Sequence, residues 1–296
     1  MAVLFVPAAL WGLNKAEERL NPLFTFWTYQ GMLLGDVNHS IRNSANQNIS
    51  SAKVDEDPTP YAAFGAVGRV GNFHVEIEGG TRIPIRMASI MITNTERVQS
   101  VTFAEESALS TYYTLGAKVS YRIREDAFHA APGVGVMYRG RIWGAARSKS
   151  AFFPGGEKNN GGTGFHFEES IWLPEIFIEA FYRYDIWALS FRGGLYPYLH
   201  ADIIEDHVLT TDHASNALSG VIGGRFTLTG SYYPAFLHGG SFFIEAGYEG
   251  YTADSQYRAS GGALEFPTTG QTLNSLVKSS TMSNLFHIAL GVRIVI

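Results

Sequence analysis

The chain has 296 residues, enough for one large domain or two small ones, and its formal net charge is −5 without a basic cluster. This balance of charge argues against a nucleic acid as its partner. Cysteine is absent, which excludes disulfides, thiolate chemistry and cysteine-based zinc sites. Hydrophobic residues make up 46% of the chain, yet no run of about eighteen apolar residues occurs, so a membrane-spanning helix is not expected.

The chain begins with an apolar segment, residues 1–12, that lacks a basic start. We interpret residues 1–20 as a truncated secretory signal or N-terminal segment. An ordinary apolar N-terminus is the alternative. Residues 21–296 are then expected to form a single domain.

The clearest pattern is an alternation with a period of two that begins at residue 73. Phe73, Val75 and Ile77 are apolar, whereas the residues between them include Glu76 and Glu78. Successive side chains of a strand point to opposite faces, so one face is apolar and the other is charged. Similar segments recur along the chain and are too long for a soluble sheet. They predict an all-β fold, a transmembrane ten-stranded antiparallel up-and-down β-barrel with lipid outside and a polar lumen.

Ten strands are predicted in chain order, at residues 24–42, 52–69, 73–92, 108–123, 127–147, 165–184, 186–205, 217–233, 241–258 and 284–296. Short turns are expected at residues 70–72, 124–126, 184–185 and 234–240. Long loops rich in Gly, Ser and Asn are expected at residues 43–51, 93–107, 148–164, 206–216 and 260–283. Bacterial barrels place short turns in the periplasm and long loops outside. The pattern therefore predicts a location in the bacterial outer membrane, with both termini in the periplasm.

A ten-stranded barrel is narrow, and side chains can largely fill its lumen. The charged residues expected inside are His74, Glu76, Glu78, Arg82, Arg86, Glu175, Glu179, Arg192, Glu245, Glu249, His287 and Arg293. Opposite charges should pair there, because an unpaired buried charge costs several kcal/mol. This filling disfavours a wide diffusion pore.

Two polar clusters lie where predicted strands reach the outer rim. Asn94 and Glu96 continue the lumen side of the third strand, and Glu205, Asp206 and His207 end the seventh. The segments LPEIFIEAFYRYD and IWALSFRGGLYPYLHADIIEDH, at residues 173–207, resemble the sixth and seventh strands of the omptin family of outer-membrane endoproteases. AARSKSAF, at residues 145–152, resembles the tip of the family's fifth strand.

The resemblance implies the catalytic residues. In omptins an Asp-Glu-His triplet supplies an Asp/His dyad, and its positions here are Glu205, Asp206 and His207. The family's second acidic pair falls on Asn94 and Glu96. The implied reaction is hydrolysis of peptide bonds, in which His207, oriented by Glu205, accepts a proton from a water held by Glu96 and Asn94.

The implied partners are outer-membrane lipid and extracellular peptide or protein substrates, with no cofactor and no metal. Asn94 departs from the family pattern, because an amide cannot accept the proton or supply negative charge. A non-catalytic barrel, serving as an adhesin or structural protein, is therefore the alternative function.

Two details of the site stay open in the sequence. Regular alternation would put Glu205 and His207 on the lipid side with Leu189 and Phe191, unless a bulge intervenes. A dyad of Asp206 with His213, or one that uses Asp212, is an alternative.

The lipopolysaccharide contacts of the family would fall on Tyr138 and Arg141. Ser170 stands where the family has a basic residue.

Overall fold

The computed structural model describes residues 24–42, 48–83, 89–94, 99–103, 107–125, 128–145, 148–150, 157–158, 165–207, 213–215, 217–219, 221–260 and 277–296. At the outer ends of several strands, including residues 202–207, it describes the backbone but not the side chains. Residues 1–20, the expected signal, lie outside the described residues, so that interpretation stays a prediction.

The described residues form ten barrel strands, some of them interrupted. They are β1 (Phe24–Arg42), β2 (Asn48–Val70), β3 (Phe73–Arg82 and Ser89–Asn94), β4 (Gln99–Phe103, Ser107–Tyr121 and Ile123–Glu125), β5 (Phe128–Ala145 and Ser148–Ser150), β6 (Glu157–Lys158 and Phe165–Tyr184), β7 (Trp187–Leu195 and Leu199–His207), β8 (His213–Ser215, Ala217–Ser219 and Val221–Tyr232), β9 (Ser241–Ser260) and β10 (Val277–Val295). A short 3₁₀ helix, Ala235–Leu237, lies between β8 and β9.

The sheet closes on itself. Thr25 of β1 lies opposite Val67 of β2 on one side and opposite Val295 of β10 on the other. Neighbouring strands are antiparallel around the whole circuit. The predicted ten-stranded barrel is confirmed.

Within the described residues, no helix is long and apolar enough to cross a membrane.

Side chains alternate between the two surfaces of the barrel as predicted. On the outer surface Ile77 is 59% exposed. Aromatic pairs border this apolar band at both ends. Trp187 and Tyr232 have ring centroids 4.8 Å apart near the short turns, and those of Tyr138 and Trp172 are 4.8 Å apart near the opposite end. Such girdles mark the two interfaces of a membrane barrel.

Ion pairs cross the lumen. Arg192 of β7 donates to Glu76 of β3 over 2.9 Å and to Glu179 of β6 over 3.2 Å, although β3 and β7 are not neighbours. One connected series of ion pairs contains Glu179, Arg192, Glu76, Lys118, Glu78, Arg225 and Glu175. The predicted pairing is confirmed for Glu76, Glu78, Glu175, Glu179 and Arg192, with Lys118 and Arg225 as basic partners that sequence reasoning did not include. Arg86 lies outside the described residues.

Several strands extend further than predicted. The expected loop at residues 93–107 contains the segment Gln99–Phe103, and β10 begins at Val277 rather than at residue 284. Backbone groups satisfy one another by continuing the ladder beyond the membrane. The apolar alternation used for prediction ends with the lipid, so it could not show these extensions.

Candidate functional site

A packed layer, here called the floor, closes the barrel below its extracellular rim. Its largest apolar members, Leu33, Ile171, Leu173 and Leu199, are each no more than 2% exposed. The floor lies near the outer membrane boundary, because Ile171 and Leu173 flank Trp172, whose ring packs beside Tyr138 in the aromatic pair at that end of the apolar band. Any site at the rim therefore rests on a closed base.

The centre of the floor is a buried ion pair. Arg141 Nε donates to Glu169 Oε2 over 2.6 Å, and Arg141 Nη2 donates to the hydroxyls of Tyr251 and Ser283, each over 3.1 Å. The Tyr251 hydroxyl donates in turn to Glu169 Oε1. Arg141 is 0% exposed and Glu169 is 1% exposed. The four side chains come from β5, β6, β9 and β10 and join these strands at one point.

A second basic residue reinforces the floor beside this pair. Arg139 Nη1 donates to Glu249 Oε1, and the Arg139 guanidinium lies 5.4 Å from the centre of the Tyr251 ring. The cation–π contact and the ion pair both link β5 to β9.

His39 is a buried neutral histidine at the same end. Its Nδ1 is 2.8 Å from Thr281 Oγ1. Burial disfavours the imidazolium and lowers the pKa of His39 to about 4, against the opposing charge of Glu169. His39 therefore has a structural role at neutral pH.

The backbone places position 94 on the inner alternation of the rim. Asn94 lies opposite Ser50 of β2, and Ser50 lies opposite Ile41 of β1. Ile41 shares its alternation with His39, which is buried inside the barrel. The side chain of Asn94 and the whole of Glu96 lie outside the described residues.

β7 changes its alternation between Leu195 and Leu199. Leu195 lies opposite Ile176 of β6, and His200 lies opposite Trp172 of β6. Five steps along β7 therefore match four steps along β6. The extra residue is a β-bulge in β7. Leu195 is 70% exposed outside the barrel, whereas Leu199 is 0% exposed within it.

The bulge determines the register of the rim cluster Glu205, Asp206 and His207 at the end of β7. Glu205 lies opposite Phe167, and His207 lies opposite Phe165. Positions 205 and 207 thus share the alternation of Leu199, on the inner side of the backbone. Regular alternation counts no bulge, and the bulge that the sequence left open shifts the backbone register of these two positions by one residue. The side chains of residues 205–207 lie outside the described part of the structure.

The alternative dyad is likewise untested. His213 begins a short segment of β8 and lies opposite Ser260 of β9. Asp212 lies outside the described residues, as do the side chains of Asp206 and His213. This alternative stays a hypothesis.

The expected lipopolysaccharide contacts separate onto two surfaces. The Tyr138 hydroxyl donates to Ser170 Oγ over 3.2 Å and Tyr138 packs beside Trp172 on the outer surface. Arg141 does not lie there. Its odd-numbered position in β5 faces inward, where Glu169 compensates its charge, so the assignment of Arg141 to a lipid contact is wrong.

Sequence reasoning missed the basic residues Arg139, Lys118 and Arg225, although the alternation in their own strands would have found them. Lys118, for example, lies between Ala117 and Val119, which are apolar. Among the side chains that the structure describes, no group of three or more His, Asp or Glu is arranged to hold a metal ion.

Comparison with known proteins gives a fold. No protein-family model matches the sequence, and no curated protein matches it. The crystal structure of the outer membrane protease OmpT from Escherichia coli superposes with a TM-score of 0.75 at 9% identity, covering 92% of this chain and 96% of that one. This likeness shows the fold, and with the closed barrel it confirms the predicted location in the bacterial outer membrane.

Two other barrels are more distant. The transport unit of the autotransporter AIDA-I from Escherichia coli has a TM-score of 0.42 at 12% identity, covering 96% of this chain and 93% of that one. OprG from Pseudomonas aeruginosa has a TM-score of 0.37 at 12% identity, covering 93% of this chain and 98% of that one.

Proposed function

We propose that this barrel is an omptin-like endopeptidase, of the aspartic type, that hydrolyses peptide bonds at its extracellular mouth. The observation that carries the proposal is the register of the rim. The bulge in β7 brings positions 205 and 207 to the inner alternation, where position 94 of β3 also lies. The fold of a known outer membrane protease, OmpT, covers 92% of this chain.

The proposed reaction uses water as the nucleophile. Glu205 orients the His207 imidazole, which takes a proton from a water held by Glu96 and Asn94. The resulting hydroxide attacks the peptide carbonyl, the C–N bond breaks, and the imidazolium returns its proton to the leaving amine. No group other than these side chains and water is needed.

The floor supports a reaction confined to the mouth. Its buried ion pair, Arg141 with Glu169, and the apolar side chains around it close the lumen beneath the rim. A peptide would bind from outside and its products would leave the same way. The same filling disfavours a solute channel, which would conduct in planar bilayers.

Cleavage of peptides by the refolded protein tests the assignment. A library of fluorogenic peptides of mixed composition should be cleaved by the natural chain, and His207→Ala should abolish cleavage. His213→Ala is the matched control, since it removes the imidazole of the alternative dyad. Activity that survives His207→Ala but not His213→Ala would transfer the role to the alternative dyad.

A non-catalytic barrel is the second candidate, and the amide of Asn94 favours it. If the natural chain is inactive because negative charge is missing at this position, Asn94→Asp should create cleavage in the same assay. A natural chain that cleaves and is unaffected by Asn94→Asp would exclude this candidate.

A further inference from the structure

Gln30 places an amide on the lipid-facing surface of the barrel. Its side chain is exposed and lies on the outward alternation of β1, with the exposed apolar residues Phe24, Phe26 and Leu34. At about 3.3 Å per residue and a strand tilt of about 40°, Gln30 lies about 15 Å above Phe24 and about 10 Å below Leu34. The apolar band of such a barrel is about 25 Å tall, so the amide lies near the middle of the bilayer.

The surroundings of Gln30 leave its amide unpaired. Across the sheet Gln30 lies opposite Leu290 of β10 and Ala62 of β2, whose side chains are apolar. Thr28, the outward residue below it, donates its hydroxyl to the Ala63 carbonyl over 3.0 Å. Within the described part of the chain, the Gln30 side chain makes no hydrogen bond. Hydrocarbon offers neither donor nor acceptor, so the amide carries the cost of its lost hydration.

The surface beside Gln30 is low enough for close approach. The outward residues of β2 include Ala62, opposite Gln30, and Ala66, four residues along the strand. Phe64, between them, turns toward β3, where its ring covers Gly79 and would lie 3.3 Å from a Cβ at that position. Small side chains let two membrane-spanning segments approach each other closely.

The chemistry of an amide indicates what can cover this surface. The Gln30 amide has one carbonyl that accepts hydrogen bonds and an NH₂ group that donates them. A covering group must therefore supply both a donor and an acceptor at the same depth in the membrane. A second copy of the chain, related by a two-fold axis along the membrane normal, brings an identical amide to that depth, and each amide can donate to the other.

We propose that two copies of the chain associate in the membrane through β1 and β2, with their Gln30 amides paired at the two-fold axis. The contact lies on the wall of the barrel opposite β6 and leaves the extracellular mouth of each copy open. It is therefore independent of the proposed proteolysis.

Cross-linking of the refolded protein in phospholipid vesicles tests the proposal, because the chain has no cysteine of its own. Ala62→Cys places one thiol directly opposite Gln30, and oxidation should join two copies by a disulfide. Ala180→Cys is the matched control. Ala180 is an outward alanine of β6, opposite Ala130 of β5 on the far wall, so its cysteine should leave the chain monomeric.

Energy transfer between copies labelled at their N-termini measures the association as lipid is added. Gln30→Leu should weaken the association by about tenfold, since two hydrogen bonds between side chains in lipid together account for a factor of that size. Ala62→Phe should also weaken it, because a ring would fill the space beside the amide, whereas Ala180→Phe should not. Retained heat-modifiable migration should show that each variant folds.

Three results would overturn the proposal. Energy transfer no greater than random proximity predicts, at every ratio of protein to lipid, would show a monomer. Unchanged association in Gln30→Leu would show that the amide takes no part in the contact. Cross-linking of Ala180→Cys as complete as that of Ala62→Cys would show random collisions instead of a defined interface.

Discussion

Replacing Glu169 by glutamine would leave the Arg141 guanidinium charged inside the barrel without its carboxylate. Arg141 is 0% exposed, and its other acceptors include the neutral hydroxyls of Tyr251 and Ser283, each 3.1 Å away. Glutamine keeps the size of the side chain, so packing of the floor should change little. The substitution thus isolates the electrostatic contribution of the pair.

The expected loss follows from burial. Removing one partner of a fully buried ion pair costs about 3–5 kcal/mol, because the other charge stays desolvated. Glu179→Gln is the matched control. Its side chain is 30% exposed, and its partner Arg192 retains Glu76 at 2.9 Å. An accessible pair of this kind contributes about 1 kcal/mol or less.

Urea unfolding of the protein in phospholipid vesicles, followed by tryptophan fluorescence, measures both losses. The double variant Arg141→Met/Glu169→Gln should be more stable than Glu169→Gln alone, since it removes the stranded charge. Two results would refute this reasoning: equal losses for Glu169→Gln and Glu179→Gln, or a double variant that loses the sum of its two single variants.

Two further changes test the fold. Burial lowers the pKa of His39 to about 4 in the folded protein. As the pH falls, the imidazole of the unfolded chain is therefore protonated before that of the folded protein. The free energy of unfolding should fall between pH values of about 6.5 and about 4, by about 3 kcal/mol in total. His39→Gln should abolish that part of the acid sensitivity in urea titrations at pH 7 and pH 4, and an unchanged difference between the two would contradict it. Asp185 occupies a hairpin position with φ 54°, where the equivalent Gly71 has φ 61°, so Asp185→Gly should raise the free energy of unfolding by about 0.5 kcal/mol and Gly71→Asp should lower it. Changes of the same sign in the two variants would contradict that assignment.

The barrel could be predicted because lipid and lumen impose opposite requirements on alternate residues. An error of one residue in register exchanges the two faces, so the alternation of Ile77 with Glu76 and Glu78 leaves little freedom. The same contrast correctly predicted that interior charges pair. It could not give their partners: Arg192 reaches Glu76 across the lumen, and no local pattern encodes a contact between residues 116 positions apart.

Above the membrane both surfaces meet water, and alternation there carries less information. The ladder continues through segments such as Gln99–Phe103 that were expected to be loop. The position of Arg141 shows the opposite error. Arg141 shares its alternation in β5 with the buried residues Met137 and Arg139, which indicates an inward side chain, whereas the resemblance implies a contact with lipid. Local geometry was the better guide at this residue.

Prolines explain why the register of the site could not be read from the sequence. β2 and β7 each contain an extra residue beside a proline. In β2, Thr59 lies opposite Leu33 and Glu56 lies opposite Gly35, so three steps along β2 match two steps along β1, and Pro58 lies between them. In β7, Pro197 lies in the bulge. Proline lacks the N–H that a ladder needs, so a bulge accommodates it.

Proline alone nevertheless does not predict a bulge. Pro132 and Pro174 lie in β5 and β6 at positions where the pairing is continuous. Prolines in a bulge differ from prolines in continuous pairing in the face that is buried after them. After Pro174 the buried residues, Glu175 and Phe177, stay on the same alternation of the strand. After Pro197 the buried residues, Leu199 and Ala201, lie on the other alternation. This choice depends on how the floor packs in three dimensions. The packing of the floor therefore determines which alternation of β7 lies on the inner side at the mouth. The register of the candidate catalytic residue His207 thus depends on the packing of Leu199, eight residues earlier.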